Sequence, residues 1–199
     1  MKTIDITKDT TIYKEPKDNE DIIYNVFDNA KLLVYDYNYD SSKKVEVNLN
    51  SEYSSIEYHY SSRNINNNNF IISINHNKSN TSSNLYNHVI NKDCNTFVLD
   101  VSSKVNKDCS KCICNQDNQI INLNDGKGII LPNLLIDNYD VESSHSAYIG
   151  SFKEDSIYYL MSRGISREKS IDLLTKSFLI NGGNQDIEIV KEYIGDING

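Results

Sequence analysis

Leu131-Pro132-Asn133-Leu134-Leu135-Ile136, then Asp140-Val141-Glu142-Ser143-Ser144-His145-Ser146-Ala147-Tyr148-Ile149-Gly150, then Ser156-Ile157-Tyr158-Tyr159-Leu160-Met161-Ser162-Arg163-Gly164-Ile165-Ser166 is the stretch on which the fold turns, because the period of the chain changes inside it. Upstream, apolar and polar residues alternate at period two, the repeat of a half-buried strand. Leu33, Tyr35, Tyr37 and Tyr39 share one face, with Asp36 and Asn38 on the other. Val45, Val47 and Leu49 repeat the pattern, as do Ile56, Tyr58 and Tyr60, then Phe70, Ile72 and Ile74, then Phe97, Leu99 and Val101. Asn-, Ser- and Asp-rich turns separate the runs, such as Ser61-Ser62-Arg63-Asn64 and Asn77-Lys78-Ser79-Asn80. Runs at a spacing of roughly a dozen residues fit a β-sandwich, a barrel or a β-helix. No Asn-Gly dipeptide joins two runs, and polar corners suit a solenoid whose coils bury their faces only against their neighbours.

Downstream the period is helical. Ser151 followed by Glu154 reads as a capping box. Ile157, Tyr158, Leu160 and Met161 form an apolar stripe, and Gly164 stands where a helix C-cap belongs. Ser166 caps a second helix with a buried stripe of Ile171, Leu173, Leu174, Phe178 and Leu179, ended by Gly182-Gly183. Asn184 caps a short third helix through Ile187, Val190, Tyr193 and Ile194, with Gly195 and Gly199 closing the chain. The expected organisation is a β core over residues 1–150 and a small α-helical region over residues 151–199.

A chain of 199 residues holds one domain, or one with a small appendage. Its 20 Lys+Arg against 28 Asp+Glu give a net charge of -8, which argues against a nucleic-acid surface. With 8 Gly and 2 Pro it is neither collagen-like nor proline-rich. Heavy use of Asn and Ile, with Ala only at positions 30 and 147, reads as a coding bias toward A and T. The run Asn66 to Asn69 reads as a loop expansion rather than a binding loop. Acidic residues interrupt the N-terminus at once, so no secretory signal is expected, and no apolar run reaches membrane-helix length. Four cysteines in such a chain read as reduced thiols. The expectation is a soluble protein of the cytoplasm, or of the stroma or matrix of an organelle.

The opening stretch resembles the C-terminal region of the SufB/SufD family, the scaffold subunits of the SUF iron–sulfur cluster assembly machine. The shared pattern is a proline-led strand, a Ser-His-Gly-Ala-Thr-like segment, here Ser144 to Tyr148, and a helix ending in Tyr159-Leu160-Met161-Ser162-Arg163-Gly164-Ile165. The resemblance implies a right-handed β-helix followed by a helical region. Leu160, Ser162 and Arg163 bring it closer to SufD than to SufB. Ser146 stands for the family's glycine and Ser143 for the cysteine of many relatives. The chain is roughly half the usual family length and lacks the N-terminal helical region, which suggests a minimal homologue.

His145 matches the histidine that the family places at the scaffold interface, where it could ligate a cluster; read without the family it is a seam or contact residue. Cys109, Cys112 and Cys114 form a Cys-x-x-Cys-x-Cys group of soft donors, with Cys94 upstream. Cys112 and Cys114 would share a strand face. The key cysteine of SufB-like chains has its place near Asp117, so that ligand does not carry over to these thiols, which otherwise serve as small apolar fillers. No Ser-His-Asp order, phosphate loop or zinc-protease helix is present.

The resemblance implies a scaffold rather than an enzyme. It would pair through its β-helix edge with a SufB-like subunit or with itself, and would dock a SufC-like ABC ATPase through the C-terminal hairpin. There Asp172 and Lys176 are expected on the face away from Leu173 and Phe178. Any iron–sulfur cluster would be transient, with no tightly bound cofactor. The alternative is a stand-alone metal- or cluster-binding protein using Cys109, Cys112 and Cys114. An extracellular solenoid enzyme or adhesin has no export signal here and no use for the Tyr159–Ile165 helix.

Overall fold

The computed structural model describes residues 1–16, 18–184 and 186–195; Gly199 lies outside them. Twelve strands come first: β1 (Lys2–Ile6), β2 (Thr10–Lys14), β3 (Ile22–Val26), β4 (Lys31–Tyr39), β5 (Lys43–Leu49), β6 (Ser55–Asn64), β7 (Asn68–His76), β8 (Ser82–Lys92), β9 (Thr96–Val105), β10 (Cys112–Leu123), β11 (Lys127–Ile136) and β12 (Val141–Gly150). Three helices follow: α1 (Glu154–Ser162), α2 (Arg167–Ile180) and α3 (Glu188–Gly195). Odd strands form one six-stranded sheet in the order β1-β3-β5-β7-β9-β11, and even strands form the other, β12-β10-β8-β6-β4-β2. Every ladder is parallel. Each coil therefore gives one strand to each sheet, and the domain is the expected β-helix rather than a sandwich or barrel.

Parallel register stacks equivalent side chains in columns. Ile22, Val45, Ile72 and Val101 line up through the odd sheet, and all four are buried. The apolar residues read from the sequence at 45–49, 56–60, 70–74 and 97–101 all point into this core. β4 departs from that reading. Its inward face is Leu32, Val34, Asp36 and Asn38, all buried, while Leu33 and Tyr35 face outward. Asp36 tolerates the interior because Lys43 Nζ lies 2.7 Å from its carboxylate and the Tyr58 hydroxyl donates to it at 2.5 Å.

The corners explain much of the Asn and Asp content. Asp28, Asn29, Asp40, Asn80, Asp93 and Asn124 all have positive φ, a region that Asn and Asp enter more readily than other side chains do. The Asn66–Asn69 patch is an ordered corner. Asp40 Oδ1 accepts the backbone N–H groups of Ile65 and Asn66 and the side-chain amide of Asn68. Ser61 to Asn64, read as a turn, lie within β6 and are buried. Strand continues there because the segment pairs with β4 and β8, with Ser62 and Asn64 hydrogen-bonded inside to Asn38 and Asn91.

Those helices pack on the outer face of the even sheet, not over the end of the solenoid. Tyr37, Ile90 and Ile121 meet Leu179, Val190 and Tyr193. The Asn181 amide donates to the carbonyls of Tyr60 and Tyr86, and the Tyr193 hydroxyl contacts those of Asn38 and Ser61 at 3.3 and 3.2 Å. The expected capping box is absent. Lys153 is the N-cap of α1 without a side-chain bond, since the Glu154 carboxylate is held by the Arg167 guanidinium at 2.6 and 2.8 Å. At the other end, Gly164 N–H donates to Met161 and Ile165 N–H to Leu160, a Schellman closure with Gly164 at φ +84°. Ser166 caps α2 as expected. Met161 of the α1 apolar stripe and Leu173, read as buried, are exposed, because Ile157 on α1 and Ser170, Thr175 and Leu179 on α2 make the inward contacts.

Removing Asp36 leaves the Lys43 ammonium uncompensated in the core. Asp36→Ala is expected to cost about 3–5 kcal/mol, read as a lowered midpoint in urea unfolding. Glu154→Gln, on a fully exposed pair, should leave that midpoint unchanged.

Candidate functional site

Among the described residues no strand pairs with the last coil on its outer side. β11 and β12 are the outermost strands of their sheets, and on β12 both faces are largely exposed. Apolar side chains stand in the open here: Ile129, Leu131 and Leu135 on β11, Tyr148 and Ile149 on β12. His145 occupies the middle of β12. Its register partner on β10 is Gln116, and the column continues inward through Leu85, Tyr58 and Val34. His145 thus ends an interior column at the open mouth of the solenoid.

The neighbouring outward column is aromatic. Tyr13, Tyr35, His59 and Tyr86 stack coil upon coil at 4.8 Å between ring centroids. Asp117 and Ser146 continue the column on β10 and β12. The Ser146 hydroxyl donates to Asp117 Oδ1 at 2.6 Å, and the Gln119 amide contacts the same carboxylate at 3.0 and 3.2 Å. Tyr86, Gln116, Asp117, Ser144, His145 and Ser146 surround a shallow recess of about 280 Å³. Imidazole, carboxylate and hydroxyl groups line it, and no thiol does.

The thiols sit elsewhere. Cys112 and Cys114 point to the same side of β10, as expected, but that side is the core, where both are fully buried with Cys109 close by. Cys114 Sγ lies 3.3 Å from His76 Nε2, and Cys112 Sγ lies 3.3 Å from Thr81 Oγ1, which touches the other ring nitrogen of His76 at 2.8 Å. The two sulfurs therefore address opposite sides of one imidazole. Burial pushes the Cys114 thiol up to about 12 and raises Cys109 as well, so neither is an available thiolate. Among the described residues no group of three or more His, Cys, Asp or Glu is placed to hold a metal ion. Cys94 is exposed in a corner with φ +59°, apart from the others.

Asp172 and Lys176 lie one turn apart on α2 and pair with each other at 3.2 Å. They are half-buried, and Leu173 is more exposed than either. Sequence reading singled out His145 and missed what surrounds it. Gln116 and Tyr86 reach their places through the register of coils of unequal length, which no local motif encodes.

Burial holds His76 neutral, with its pKa down to about 4 from 6.5, and burial lowers His88 too. Both are depressed below the unfolded value. Their contribution to stability is complete above about pH 6.5 and drains away as the pH falls toward 4, to a loss of about 3 kcal/mol for His76. Urea midpoints should fall across that window, and less steeply in His76→Gln. A disulfide reagent should modify Cys94 quickly in the native chain, and Cys109, Cys112 and Cys114 only after unfolding.

The chain matches the family described as SUF system FeS cluster assembly, SufBD core domain, over residues 25–178. It is 33% identical over 109 residues to the iron-sulfur cluster assembly protein SufD of Bacillus subtilis (strain 168), a match covering 54% of this chain and 25% of that protein. It is 50% identical over 40 residues to an iron-sulfur cluster assembly SufBD family protein of Pyrococcus horikoshii, covering 20% of this chain and 9% of that one. A third relative, from Archaeoglobus fulgidus, is 48% identical over 40 residues, covering 20% and 11%. These matches span a quarter or less of each relative's own length. The family match runs from the end of β3 nearly to the end of α2, well over half of the chain, and the chain belongs to the SufBD core family of the SUF system.

Proposed function

We propose that the chain is a SufD-like scaffold subunit of an iron–sulfur cluster assembly complex and works with an ABC-type ATPase. The observation that carries this reading is the uncovered last coil with His145 at its centre. An outermost strand offers a row of unpaired N–H and C=O groups, and a second β-helix laid edge to edge would satisfy them. The exposed Ile129, Leu131 and Leu135 would be buried in the same step. A SufB-like scaffold or a second copy of this chain supplies such an edge. His145 would then face the joint, where a neutral imidazole can donate a nitrogen to iron.

In this reading the protein is a scaffold, not an enzyme. The cluster is cargo, held in transit and handed on, and ATP hydrolysis belongs to the partner. The ATPase would dock on the α1–α2 hairpin, which leaves Tyr158, Tyr159 and Leu173 exposed with the Asp172–Lys176 pair on its flank. Unpaired thiols at Cys94, Cys109, Cys112 and Cys114 suit a reducing compartment such as the cytoplasm. The alternative, a stand-alone cluster protein on Cys109, Cys112 and Cys114, would need those inward thiols to turn out of the core.

Light scattering on the chain with and without a SufB-like partner tests the pairing. Leu135→Asp with Ile149→Asp should abolish association while leaving the far-UV dichroism intact; a chain that stays monomeric throughout overturns the paired scaffold. Anaerobic reconstitution with iron and sulfide tests the site. The charge-transfer band should vanish in His145→Ala and persist in Cys112→Ser with Cys114→Ser, and the reverse pattern would transfer the role to the thiols. Lys176→Glu should change stability by about 0.5 kcal/mol or less yet reduce co-purification of the ATPase.

A further inference from the structure

The outward aromatic column stops short of the last coil. Tyr86 has the His59 ring stacked on one side at 4.8 Å. On its other side the register places Asp117 and then Ser146 where a fifth and a sixth ring would stand. Both side chains are shorter than a tyrosine, and the Tyr86 ring borders the recess of about 280 Å³ that they leave. Asn115 and Ser144 line it from the neighbouring outward column. The polar groups here have turned their donors on protein acceptors. The Ser146 hydroxyl donates to Asp117 Oδ1 at 2.6 Å, the Ser144 hydroxyl to Asn115 Oδ1 at 2.7 Å, and the Asn115 amide to Asn84 Oδ1 at 3.1 Å. The Gln119 amide donates to the Asp117 carboxylate at 3.0 and 3.2 Å. A carboxylate offers about four lone-pair sites and a hydroxyl oxygen two, so acceptor capacity remains open on Asp117, Ser144 and Ser146. Among the described residues no lysine, arginine or histidine pairs with Asp117.

We infer that this recess is a docking site for an arginine side chain of the paired scaffold, whose guanidinium stacks on Tyr86 as the next ring of the ladder and donates to Asp117 and to the Ser144 and Ser146 hydroxyls. A guanidinium is planar, carries five N–H donors and no acceptor, and stacks on aromatic faces. It answers each open acceptor and brings no acceptor of its own. A nucleobase carries ring acceptors that would meet mostly acceptors here. A phosphate or carboxylate would be repelled by Asp117, and a lysine ammonium lacks the plane that stacks on a ring. The net charge of -8 adds long-range attraction for a cationic partner. The recess lies on β10 and β12, and β12 is the edge to which a second scaffold would add its strand. The inference deepens the paired-scaffold reading and rests on it only for the source of the arginine.

The probe is a blocked tripeptide with arginine between two glycines, titrated into the full chain at low ionic strength and followed by amide proton–nitrogen spectra, beside its lysine and citrulline counterparts. The arginine peptide should shift the signals of Tyr86, Asp117, Ser144 and Ser146, and its own side-chain protons should move upfield over the Tyr86 ring. The lysine peptide should bind about fivefold more weakly. The citrulline peptide, similar in shape and uncharged, should show no measurable binding. Asp117→Asn should weaken the arginine peptide by about tenfold. Tyr86→Leu should abolish the upfield shift and Tyr86→Phe should keep it, which guards against a leucine variant that fails to fold. The Asp117→Asn chain should also associate more weakly, by a similar factor, with a SufB-like partner or with itself in light scattering. Arginine and lysine peptides bound alike, or an affinity unmoved by Asp117→Asn, overturn the recess as a guanidinium site. Pairing undiminished in Asp117→Asn overturns the second scaffold as the source of the arginine. A chain that pairs with no scaffold yet binds the arginine peptide at Tyr86 and Asp117 removes the paired-scaffold reading and leaves the guanidinium site standing.

Discussion

Parallel in-register stacking of coils is the constraint on which everything else in this molecule rests. A coil buries its inward side chains only against the coils on either side, so each column must repeat something compatible with itself. Apolar columns such as Ile22, Val45, Ile72 and Val101 do this by close packing. Polar columns do it by hydrogen bonding along the axis. Asn25 donates to Asp5, Asn48 to Asn25 and Asn75 to Asn48, at 2.8, 3.1 and 2.9 Å. An amide carries both donor and acceptor, so an asparagine can pair with its copy above and below without end. A one-residue slip would break such a ladder and turn every apolar side chain outward. The ladders and the apolar columns thus specify the same register, the one through hydrogen bonds and the other through burial.

The same repetition explains where the helices go. The outer face of the even sheet carries Tyr37, Ile90 and Ile121, which water would otherwise wet. Covering it with α2 and α3 buries that surface, and side-chain donors from Asn181 and Tyr193 reach the sheet carbonyls beneath. His88 adds a stacked contact with Phe178 at 4.4 Å and a bond to its carbonyl at 2.9 Å. The solenoid end receives no such cover. A fold able to shield one sheet face leaves its last strands bare, which is the physical reason to look for a partner there.

Much of this was legible in the residues, and what was not has a common cause. Period two at Val45, Val47 and Leu49 announces a strand and its buried face, because a valine or leucine column states its own orientation. Leu33, Tyr35, Tyr37 and Tyr39 mislead, because tyrosine serves both as core and as an outward stack; here Tyr35 joins the ring ladder with Tyr13 and His59, while a charged Asp36 goes inside. Asp36 is readable as buried only once Lys43 and Tyr58 are known to meet it. The choice of β-helix over sandwich needed the His145 segment and the helix that follows, since alternation alone is shared by all three architectures. His145 could be singled out because its neighbours in sequence form a motif. Gln116, its neighbour in space, is separated from it by a whole coil.

Two middle columns of the even sheet change character along the axis. One runs Leu32, Ile56, Ser83, Cys114, Ser143, and the other Val34, Tyr58, Leu85, Gln116, His145. Both begin aliphatic and end polar. Burying Gln116, His76 and two thiols in the later coils gives up hydrophobic stabilisation that aliphatic residues would have supplied there. The early coils, with Leu32, Val34, Val45 and Val47 fully inside, carry that part of the stability instead. At the uncovered end the two columns finish on Ser143 and His145, which are exposed, while the buried polar groups behind them hold that end in register. A site built on the last strands of a solenoid gains its precision from the columns behind it and its access from the neighbour it lacks.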